Sequence, residues 1–466
     1  MARISPNTAK GTRDFLPRDL VSRNRVFGLM RETFERYGYE PIETPAVENT
    51  NVLEGKYGEE GDRLLFRILK RGRDLESAGQ KLLAAAGGDL SAAALSRLFS
   101  DEALRYDLTV PFARVIAAHQ NDLVFPFRRY QMQPVWRADR PQRGRYREFY
   151  QCDVDCVGSK SMTVDAEMVA IHYEVFTGLG LGDSVTRINH RGLLDALMES
   201  CDIAPEQRTG ALTAIDKLDK IGPDGVRQEL VKAGLTESAM HRLMEITGIS
   251  GAPQAVIEAL RPMLGESEQG QQSLRELGEV FAALVAMGIP PERYSFDLSL
   301  VRGLGYYTGT IYETVLPGSG LGSVGGGGRY DRLIGQFLGR DLPVVGISFG
   351  LERIFDVLAG RDAASGAPVT TTQALVTLFS AETMEASFAA ATALRQAGIR
   401  TEVYTDVKDL RPQLTFANRK GIPLVIIIGP DELARDEAVI RDLRSGSQRA
   451  VPRAALASVV RTTLGE

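Results

Sequence analysis

Arginine side chains are concentrated in residues 127–147, a stretch that contains one acidic residue, Asp139. The whole chain has a net charge of −5, so the charge of this stretch is opposite to that of the protein. A local group of guanidinium side chains is typical of phosphate and nucleic-acid binding, whereas net charge bears mainly on solubility. The stretch therefore predicts contact with a polyanion, and a solvated basic surface is the alternative.

The segment that follows the arginines, 147–157, alternates between two kinds of side chain with the two-residue period of a strand. One face is apolar, as a protein core requires, and consists of Tyr150, Cys152, Val154 and Cys156. The other face is polar and consists of Phe149, Gln151, Asp153 and Asp155. An aromatic ring, an amide and two carboxylates on one face predict a polar pocket. For Asp153 alone, a hydrogen-bonded structural carboxylate is the favoured interpretation.

Three arginines stand at expected ends of strands or helices. Arg137 lies near the end of a strand predicted over 127–139, Arg302 ends one predicted over 296–301, and Arg353 lies in the first turn of a helix. A guanidinium keeps its charge at any working pH, and its planar fork matches phosphate oxygens. A helix N-terminus adds to the attraction for anions. Together the three predict a polyphosphate site, although each one alone could form a surface ion pair.

Common nucleotide-binding patterns are missing from the sequence, which has neither a Gly-x-x-x-x-Gly-Lys-Ser/Thr phosphate loop nor a dinucleotide fingerprint. The glycine run 325–328 is a weak signal, typical of a flexible hairpin turn or of backbone that a ligand approaches closely. The three cysteines and four scattered histidines form no metal-binding pattern. The few cysteines favour a reducing, cytoplasmic setting, and the lack of a long apolar run predicts no membrane span.

The helices and strands that would position these side chains can be predicted from the spacing of apolar residues and from the glycines and prolines that end each element. A chain of 466 residues is too long for one core and predicts two or three domains. A helix over 19–37 precedes an antiparallel hairpin that joins the strands described above, and 191–287 predicts a series of short helices. Beyond a polar linker, 361–372, strands and helices alternate as in a small α/β domain. Its strands are expected at 374–379, 400–404 and 424–428, and its helices at 384–396, 411–419 and after 452.

Three segments resemble the sequence motifs of the class II aminoacyl-tRNA synthetases. Residues 39–45 resemble the dimer-interface motif, residues 136–149 resemble motif 2, and residues 346–353 (Gly-Ile-Ser-Phe-Gly-Leu-Glu-Arg) resemble motif 3. These motifs do not distinguish one amino acid from another.

Two further segments resemble signatures of the histidine-specific members, namely 300–309 (Leu-Val-Arg-Gly-Leu-Gly-Tyr-Tyr-Thr-Gly) and 327–331 (Gly-Gly-Arg-Tyr-Asp). The chain thus resembles the histidyl-tRNA synthetases over nearly its whole length. The resemblance implies an α+β catalytic domain with a mainly antiparallel sheet, a helical insertion and a C-terminal α/β anticodon-binding domain. These would comprise 1–190 with 291–365, then 191–290, and then 366–466.

The resemblance also implies roles for individual residues. ATP would be bound by Arg137, Arg145, Phe149 and Arg353. Histidine would be bound by Asp107, Thr109, Gln151, Asp155, Arg302, Tyr306, Tyr307 and Tyr330. Arg137 and Arg302 would be catalytic, on opposite sides of the α-phosphate, where negative charge develops in the transition state. The acceptor end of the tRNA would meet Arg140, Gln142 and Arg143.

The expected amino-acid pocket has a chemical logic of its own. A neutral imidazole has one donor and one acceptor nitrogen, so Asp155 would accept from it and Tyr307 would donate to it. An analogue that lacks both nitrogens leaves two buried groups unpaired, which discriminates by roughly 10⁴-fold or more. Asp107 and Asp155 stand where many members have Glu, which predicts closer or water-bridged contacts. Gly305 stands where Asp is common.

The partners implied are ATP, L-histidine and tRNA(His), with Mg²⁺ accompanying ATP, a second copy of the chain in a homodimer, and no membrane. Three alternatives remain. A non-catalytic regulatory subunit of histidine biosynthesis would lack the anticodon-binding domain and the catalytic arginines. Another class II synthetase would not explain the pair Tyr306-Tyr307, and a general nucleic-acid-binding module would not need a face lined with carboxylates.

Overall fold

The computed structural model describes residues 5–84, 91–142, 144–301, 306–320, 322–365 and 368–465. They group into two compact units, one formed by 1–13 with 28–360 and the other by 14–27 with 361–466. The proposed separation of 191–290 as a domain of its own stays a prediction.

The strands are, in chain order, β1 (Glu40–Pro41), β2 (Val47–Asn49), β3 (Arg67–Ile68), β4 (Glu102–Leu104), β5 (Phe127–Trp136), β6 (Glu148–Val157), β7 (Val185–His190), β8 (Tyr294–Phe296), β9 (Thr310–Val315), β10 (Ser323–Arg329), β11 (Val344–Phe349), β12 (Ala374–Val376), β13 (Thr401–Val403), β14 (Leu424–Ile427), β15 (Glu437–Asp442) and β16 (Gln448–Pro452). The helices are α1 (Pro17–Arg36), α2 (Thr50–Leu53), α3 (Gly58–Arg63), α4 (Gly72–Ala84), α5 (Ala92–Phe99), α6 (Thr109–His119), α7 (Met162–Gly178), α8 (Arg191–Ser200), α9 (Pro205–Ile215), α10 (Leu218–Lys232), α11 (Glu237–Thr247), α12 (Pro253–Leu260), α13 (Glu268–Ala286), α14 (Gly335–Leu338), α15 (Leu351–Ser365), α16 (Met384–Gln396), α17 (Leu410–Lys420), α18 (Pro430–Ala434) and α19 (Leu456–Leu464).

The first unit is built on a sheet with the strand order β1-β5-β6-β11-β10-β9-β7-β8. Its pairs are antiparallel except β1 with β5 and β7 with β8. The hairpin β5–β6 pairs Trp136 with Glu148 at one end and Phe127 with Val157 at the other. The expected α+β domain with a mainly antiparallel sheet is thereby confirmed.

One side of this sheet is covered by α7, which is buried along most of its length. Apolar residues recur around this helix because it is enclosed rather than lying at the surface. Its His172 and Phe176 rings pack against Phe349 of β11, with centroids 4.6 Å and 5.8 Å away. Cys152 and Cys156 are buried, as the predicted core face of β6 requires.

The segment 191–286 is helical, from α8 to α13, as predicted. Helix α13 shows why: Ser267 caps its N-terminus by accepting from the Gly270 amide, and its buried apolar side chains recur at helical spacing. They are Leu274, Leu277, Val280, Phe281 and Leu284.

The second unit contains a mixed sheet with the order β13-β12-β14-β15-β16. The strands β13, β12 and β14 are parallel, and β14, β15 and β16 pair antiparallel. The predicted helix 384–396 is α16, and the other predicted elements lie within a few residues of α17, α19 and the first three strands. The hairpin β15–β16 was not predicted.

Three expectations about local structure were wrong. The strand expected over 296–301 is β8, which ends at Phe296 because Asp297 forms a turn: its Oδ1 accepts from the Ser299 amide at 2.9 Å and from the Ser299 hydroxyl at 2.7 Å. The glycine run 325–328 is not a flexible turn but lies inside β10. The linker expected from residue 361 begins as the end of α15.

Candidate active site

A cavity of about 860 Å³ opens over the polar face of β6 and the N-terminus of α15. Predicted site residues from two parts of the chain line it together: Arg137, Gln142, Arg145, Phe149, Gln151 and Arg353. The hairpin β5–β6 supplies most of them, because Arg137 follows β5 while Phe149 and Gln151 project from the polar face of β6. The expected ATP-binding residues therefore share one space.

Arg137 is held in place by contacts with Tyr106 and Phe149. Its Nε donates to the Tyr106 carbonyl oxygen at 3.1 Å, and its guanidinium lies 4.3 Å from the centre of the Tyr106 ring and 5.1 Å from that of Phe149. A guanidinium fixed against aromatic rings is preorganised for an anion.

The hairpin tip carries the residues expected to meet tRNA. Gln142 and Arg145 close it with two backbone hydrogen bonds of 3.2 Å and 2.9 Å. Arg145 also pairs with Asp139 at 2.7 Å. Arg140 and Gln142 are exposed, and Arg143 lies outside the described residues.

Arg353 projects from the first turn of α15, as predicted, and donates to the carbonyl oxygen of Ser323. The neighbouring Glu352 pairs with Arg13, whose guanidinium stacks 3.6 Å from the centre of the Tyr146 ring. Phe149 and Arg353 both line the large cavity, which is the arrangement that a flat ring bound between them would need.

Asp155 lies deeper on the same face of β6 and is almost completely buried. It pairs with Arg129 at 2.7 Å and accepts a hydrogen bond from the Tyr330 hydroxyl. Burial raises the pKa of Asp155, although the Arg129 charge and the Tyr330 hydrogen bond act in the opposite direction. Since a carboxylate has about four lone-pair sites, Asp155 retains capacity to accept from a ligand.

Asp107 lies just before α6, whose first residue is Thr109. Its Oδ1 accepts from the Tyr57 hydroxyl at 2.8 Å and from the Val110 amide at 3.2 Å. Burial raises the pKa of Asp107, opposed by the Tyr57 hydrogen bond and the Arg137 charge. Asp107 is thus held at the start of α6, where the Arg137 and Arg129 charges act on it.

The tyrosine pair, Tyr306 and Tyr307, lies away from the large cavity. The Tyr306 and Tyr307 hydroxyls are 3.2 Å apart and their ring centres 4.4 Å apart. Both line a second cavity of about 330 Å³, not the large one. The structure therefore divides the predicted histidine-binding residues: Gln151 lies at the large cavity and the tyrosine pair at the smaller one. Arg302 and Gly305 lie outside the described residues.

Glycines make room on the face of the sheet that carries Asp155. A Cβ at Gly346 would overlap the carboxylate of Asp155, and one at Gly328 would stand 3.0 Å from the Tyr307 ring and closer still to backbone. On the other face, a Cβ at Gly325 would stand 3.0 Å from His172. The glycine run is thus a strand that must lie close to its neighbours on both sides.

Arg129 and Tyr57 contact predicted site residues but were not singled out from the sequence. Arg129 is completely buried, pairs with Asp155, and lies 4.2 Å from the centre of the Phe112 ring. The alternation of β5, combined with the hairpin register that puts Arg129 opposite Asp155, could have found it. No sequence signal predicts the contact of Tyr57 with Asp107, because it joins segments separated by fifty residues.

Comparison with known proteins identifies the family. A family model described as histidyl-tRNA synthetase matches residues 92–354, more than half of the chain. The chain belongs to the histidyl-tRNA synthetase family. A second model, an anticodon binding domain, matches residues 368–463.

Individual histidyl-tRNA synthetases are similar along almost the full chain. A histidine–tRNA ligase of Christiangramia forsetii is 41% identical over 95% of this chain and 96% of its own length. One of Cytophaga hutchinsonii is 42% identical over 95% and 96%. The crystal structure of histidyl-tRNA synthetase from Nostoc sp. PCC 7120 superposes with a TM-score of 0.85 at 34% identity, covering 99% of this chain and 100% of that one.

Two further observations bear on the expectations for this histidyl-tRNA synthetase family member. Within the part of the chain that the structure describes, no helix is long and apolar enough to cross a membrane. Across the same residues, His, Cys, Asp and Glu side chains form no group of three or more suited to a metal ion.

Proposed function

We propose that this chain is a histidine–tRNA ligase, which activates histidine with ATP to histidyl-adenylate and pyrophosphate and then esterifies the 3′ end of tRNA(His). The observation that carries the proposal is the meeting of Arg137, Phe149, Gln151 and Arg353 in one cavity, beside the buried carboxylate of Asp155. Family membership adds to it, because relatives similar along the whole chain are named for this activity.

ATP is proposed to occupy the large cavity. Phe149 and Arg353 would hold the adenine ring between them, and Arg145 would contact the distal phosphates. Arg137, fixed against Tyr106, would bind the α-phosphate. A preorganised charge at the point where negative charge develops lowers the barrier by several kcal/mol, since it need not reorient during the reaction.

Histidine is proposed to lie on the polar face of β6. Asp107, Thr109 and Gln151 would hold its ammonium end, while Asp155, Tyr306, Tyr307 and Tyr330 would surround the imidazole. Asp155 would accept the imidazole N–H, and Arg129 keeps its carboxylate oriented through the 2.7 Å ion pair. A substrate without the N–H would leave this carboxylate short of a partner, which is the basis of selectivity.

In the proposed reaction, the protein forms no covalent bond with either substrate. The histidine carboxylate attacks the α-phosphorus in line, pyrophosphate leaves, and a ribose hydroxyl of the tRNA afterwards attacks the adenylate carbonyl. Positioning the two substrates supplies much of the rate. By the resemblance, Arg302 would bind the α-phosphate opposite Arg137, and the hairpin tip with Arg140, Gln142 and Arg143 would meet the tRNA acceptor end.

Mg²⁺ is proposed to enter with ATP. Carboxylates that line the large cavity are Asp139, Glu352 and Asp356, and the first two already pair with Arg145 and Arg13. Hard divalent cations prefer carboxylate and phosphate oxygens. The site therefore fits an ion held mainly by the ATP phosphates, where it would neutralise charge on the leaving pyrophosphate.

The oligomeric state and the cellular location of the protein are proposed as well. Residues 39–45, which include β1, resemble a dimer-interface motif, so we propose a homodimer acting in the cytoplasm. The regulatory-subunit alternative is disfavoured because such subunits lack an anticodon-binding domain, whereas an anticodon binding domain model matches residues 368–463 here.

The proposal is tested by ATP–pyrophosphate exchange with each of the twenty amino acids and without tRNA. Exchange is expected with histidine alone. Arg137→Ala should reduce it by about 10²- to 10³-fold, the usual effect of removing one preorganised donor, while Arg227→Ala, at an exposed pair with Glu237, should leave it unchanged. Exchange with another amino acid, or with none, would overturn the proposal.

A further inference from the structure

Asp153 is a buried carboxylate on the substrate side of β6 that the proposed mechanism does not use. It stands between Gln151 and Asp155 on the same face of the strand and is 3% exposed. The register of the sheet puts it opposite Gln131 of β5 and Ser348 of β11. Gln151 and Ser348 both line the floor of the large cavity, and the buried Asp153 lies beside them, beneath this lining.

Part of the hydrogen-bonding capacity on this floor is unused. The Ser348 side chain makes a hydrogen bond with the Asp153 carboxylate, but the buried Oδ1 of Asp153 finds no hydrogen-bond partner within the described ranges. The same holds, among those residues, for the buried Oε1 of Gln151. Buried acceptors are nearly always paired in native proteins. Two neighbouring unpaired acceptors therefore point to a ligand that brings N–H donors.

The charges around Asp153 favour a ligand that is also positive. Arg129 of β5 attracts the carboxylate, whereas Asp155 and Asp107 repel it. Tyr306 and Tyr330 also interact with this charge, and Cys152 does so from the opposite face of β6. Burial raises the pKa of Asp153 to about 7, with Arg129 lowering it and Asp155 adding to the rise. A carboxyl with this pKa would be about half protonated at neutral pH in the protein without ligand.

We propose that Asp153 is a binding residue for the ammonium group of the amino-acid substrate, and that it loses a proton to solvent when this group enters beside Gln151. The carboxylic O–H breaks, the proton passes to the buffer, and the resulting carboxylate pairs with the substrate ammonium. This inference rests on the proposed function, because it places the amino acid at this floor.

The test is calorimetry of histidine binding to the full chain at pH 7.0, in phosphate and in Tris, whose ionisation enthalpies differ. The difference in heat gives the number of protons released. About half a proton per histidine is expected at pH 7.0, falling towards zero at pH 8.5, where the carboxyl is already ionised. Equal heats in the two buffers at pH 7.0 would overturn the inference without affecting the proposed function.

The variant Asp153→Asn should bind histidine without this proton release. The ratio of its dissociation constant to that of the parent should rise about tenfold between pH 6 and pH 8, because only the parent gains a carboxylate over this range. Asp224→Asn, at an exposed position of α10, is the matched control and should release protons as the parent does.

The outcomes of these measurements distinguish a failure of the inference from a failure of the proposed function. A ratio that stays constant with pH, or undiminished release in Asp153→Asn, would show that Asp153 is a structural carboxylate and overturn the inference alone. If the variant does not fold, the two-buffer measurement on the parent still decides the matter. Absence of histidine binding to the parent would overturn both the inference and the proposed function.

Discussion

Replacing Arg129 by Met should destabilise the protein strongly, and more so at high pH than at low pH. Arg129 and its partner Asp155 are 0% and 5% exposed at their side chains and lie 2.7 Å apart. Methionine removes the charge while keeping an apolar chain against the Phe112 ring. Breaking a buried ion pair from one side costs about 3–5 kcal/mol, because the remaining charge is left buried without compensation.

The pH dependence follows from the carboxyl that remains. Burial already raises the pKa of Asp155 above its ordinary value, and without Arg129 it must rise further. A group whose pKa is higher in the folded state binds more protons there, so the free energy of unfolding falls as pH increases between the unfolded and folded pKa values. The deficit of Arg129→Met should therefore be largest at pH 8 and shrink towards pH 5.

The assay is urea unfolding of parent and variant at pH 5, 6.5 and 8, followed by circular dichroism. Arg128→Met is the matched control, because its guanidinium pairs with Glu167 at 2.9 Å but is 33% exposed. This substitution should lower the free energy of unfolding by about 1 kcal/mol or less, with little dependence on pH. An Arg129→Met deficit that is equal at all three pH values would refute the electrostatic reasoning and leave only lost packing.

Three further predictions concern the site. Gly346→Ala should abolish histidine-dependent pyrophosphate exchange, because the new Cβ would overlap the Asp155 carboxylate; normal exchange would contradict the described register. Tyr330→Phe removes the hydroxyl that donates to Asp155 and should cost about 1–3 kcal/mol in histidine affinity, measured by equilibrium dialysis; an unchanged affinity would remove Tyr330 from the pocket. Arg353→Met should raise the KM for ATP and leave that for histidine unchanged in the exchange assay; a change confined to histidine would contradict its proposed place.

Much of the fold could be predicted from periodicity. The hairpin β5–β6, the helix α16 and the helical segment from α8 to α13 have clear two-residue or helical patterns, and the structure agrees. The hairpin β15–β16 was missed because half of it is exposed, so its alternation gives little signal. Strand β10 was missed because four glycines have no side-chain pattern. Only neighbours from other elements, such as His172 beside Gly325 and Tyr307 beside Gly328, explain why glycine is needed there.

The arrangement of the candidate site could be predicted only where it depends on a pattern within one segment. The polar face of β6 follows from alternation within one segment, which predicted that Gln151 and Asp155 share one face of the strand. The partners that complete it, Arg129 and Tyr57, come from other elements, and their proximity depends on strand register and on packing of distant segments. Local patterns say which face a residue takes, whereas contacts across the sheet require the tertiary structure.

The most direct test of the proposed function is transfer of labelled histidine to tRNA(His) by the full chain. With ATP and Mg²⁺, an ester is expected at the 3′ end of the tRNA, formed with histidine but not with other amino acids, and lost in Arg137→Ala. A correctly folded protein that forms no ester, or that attaches a different amino acid, would contradict it.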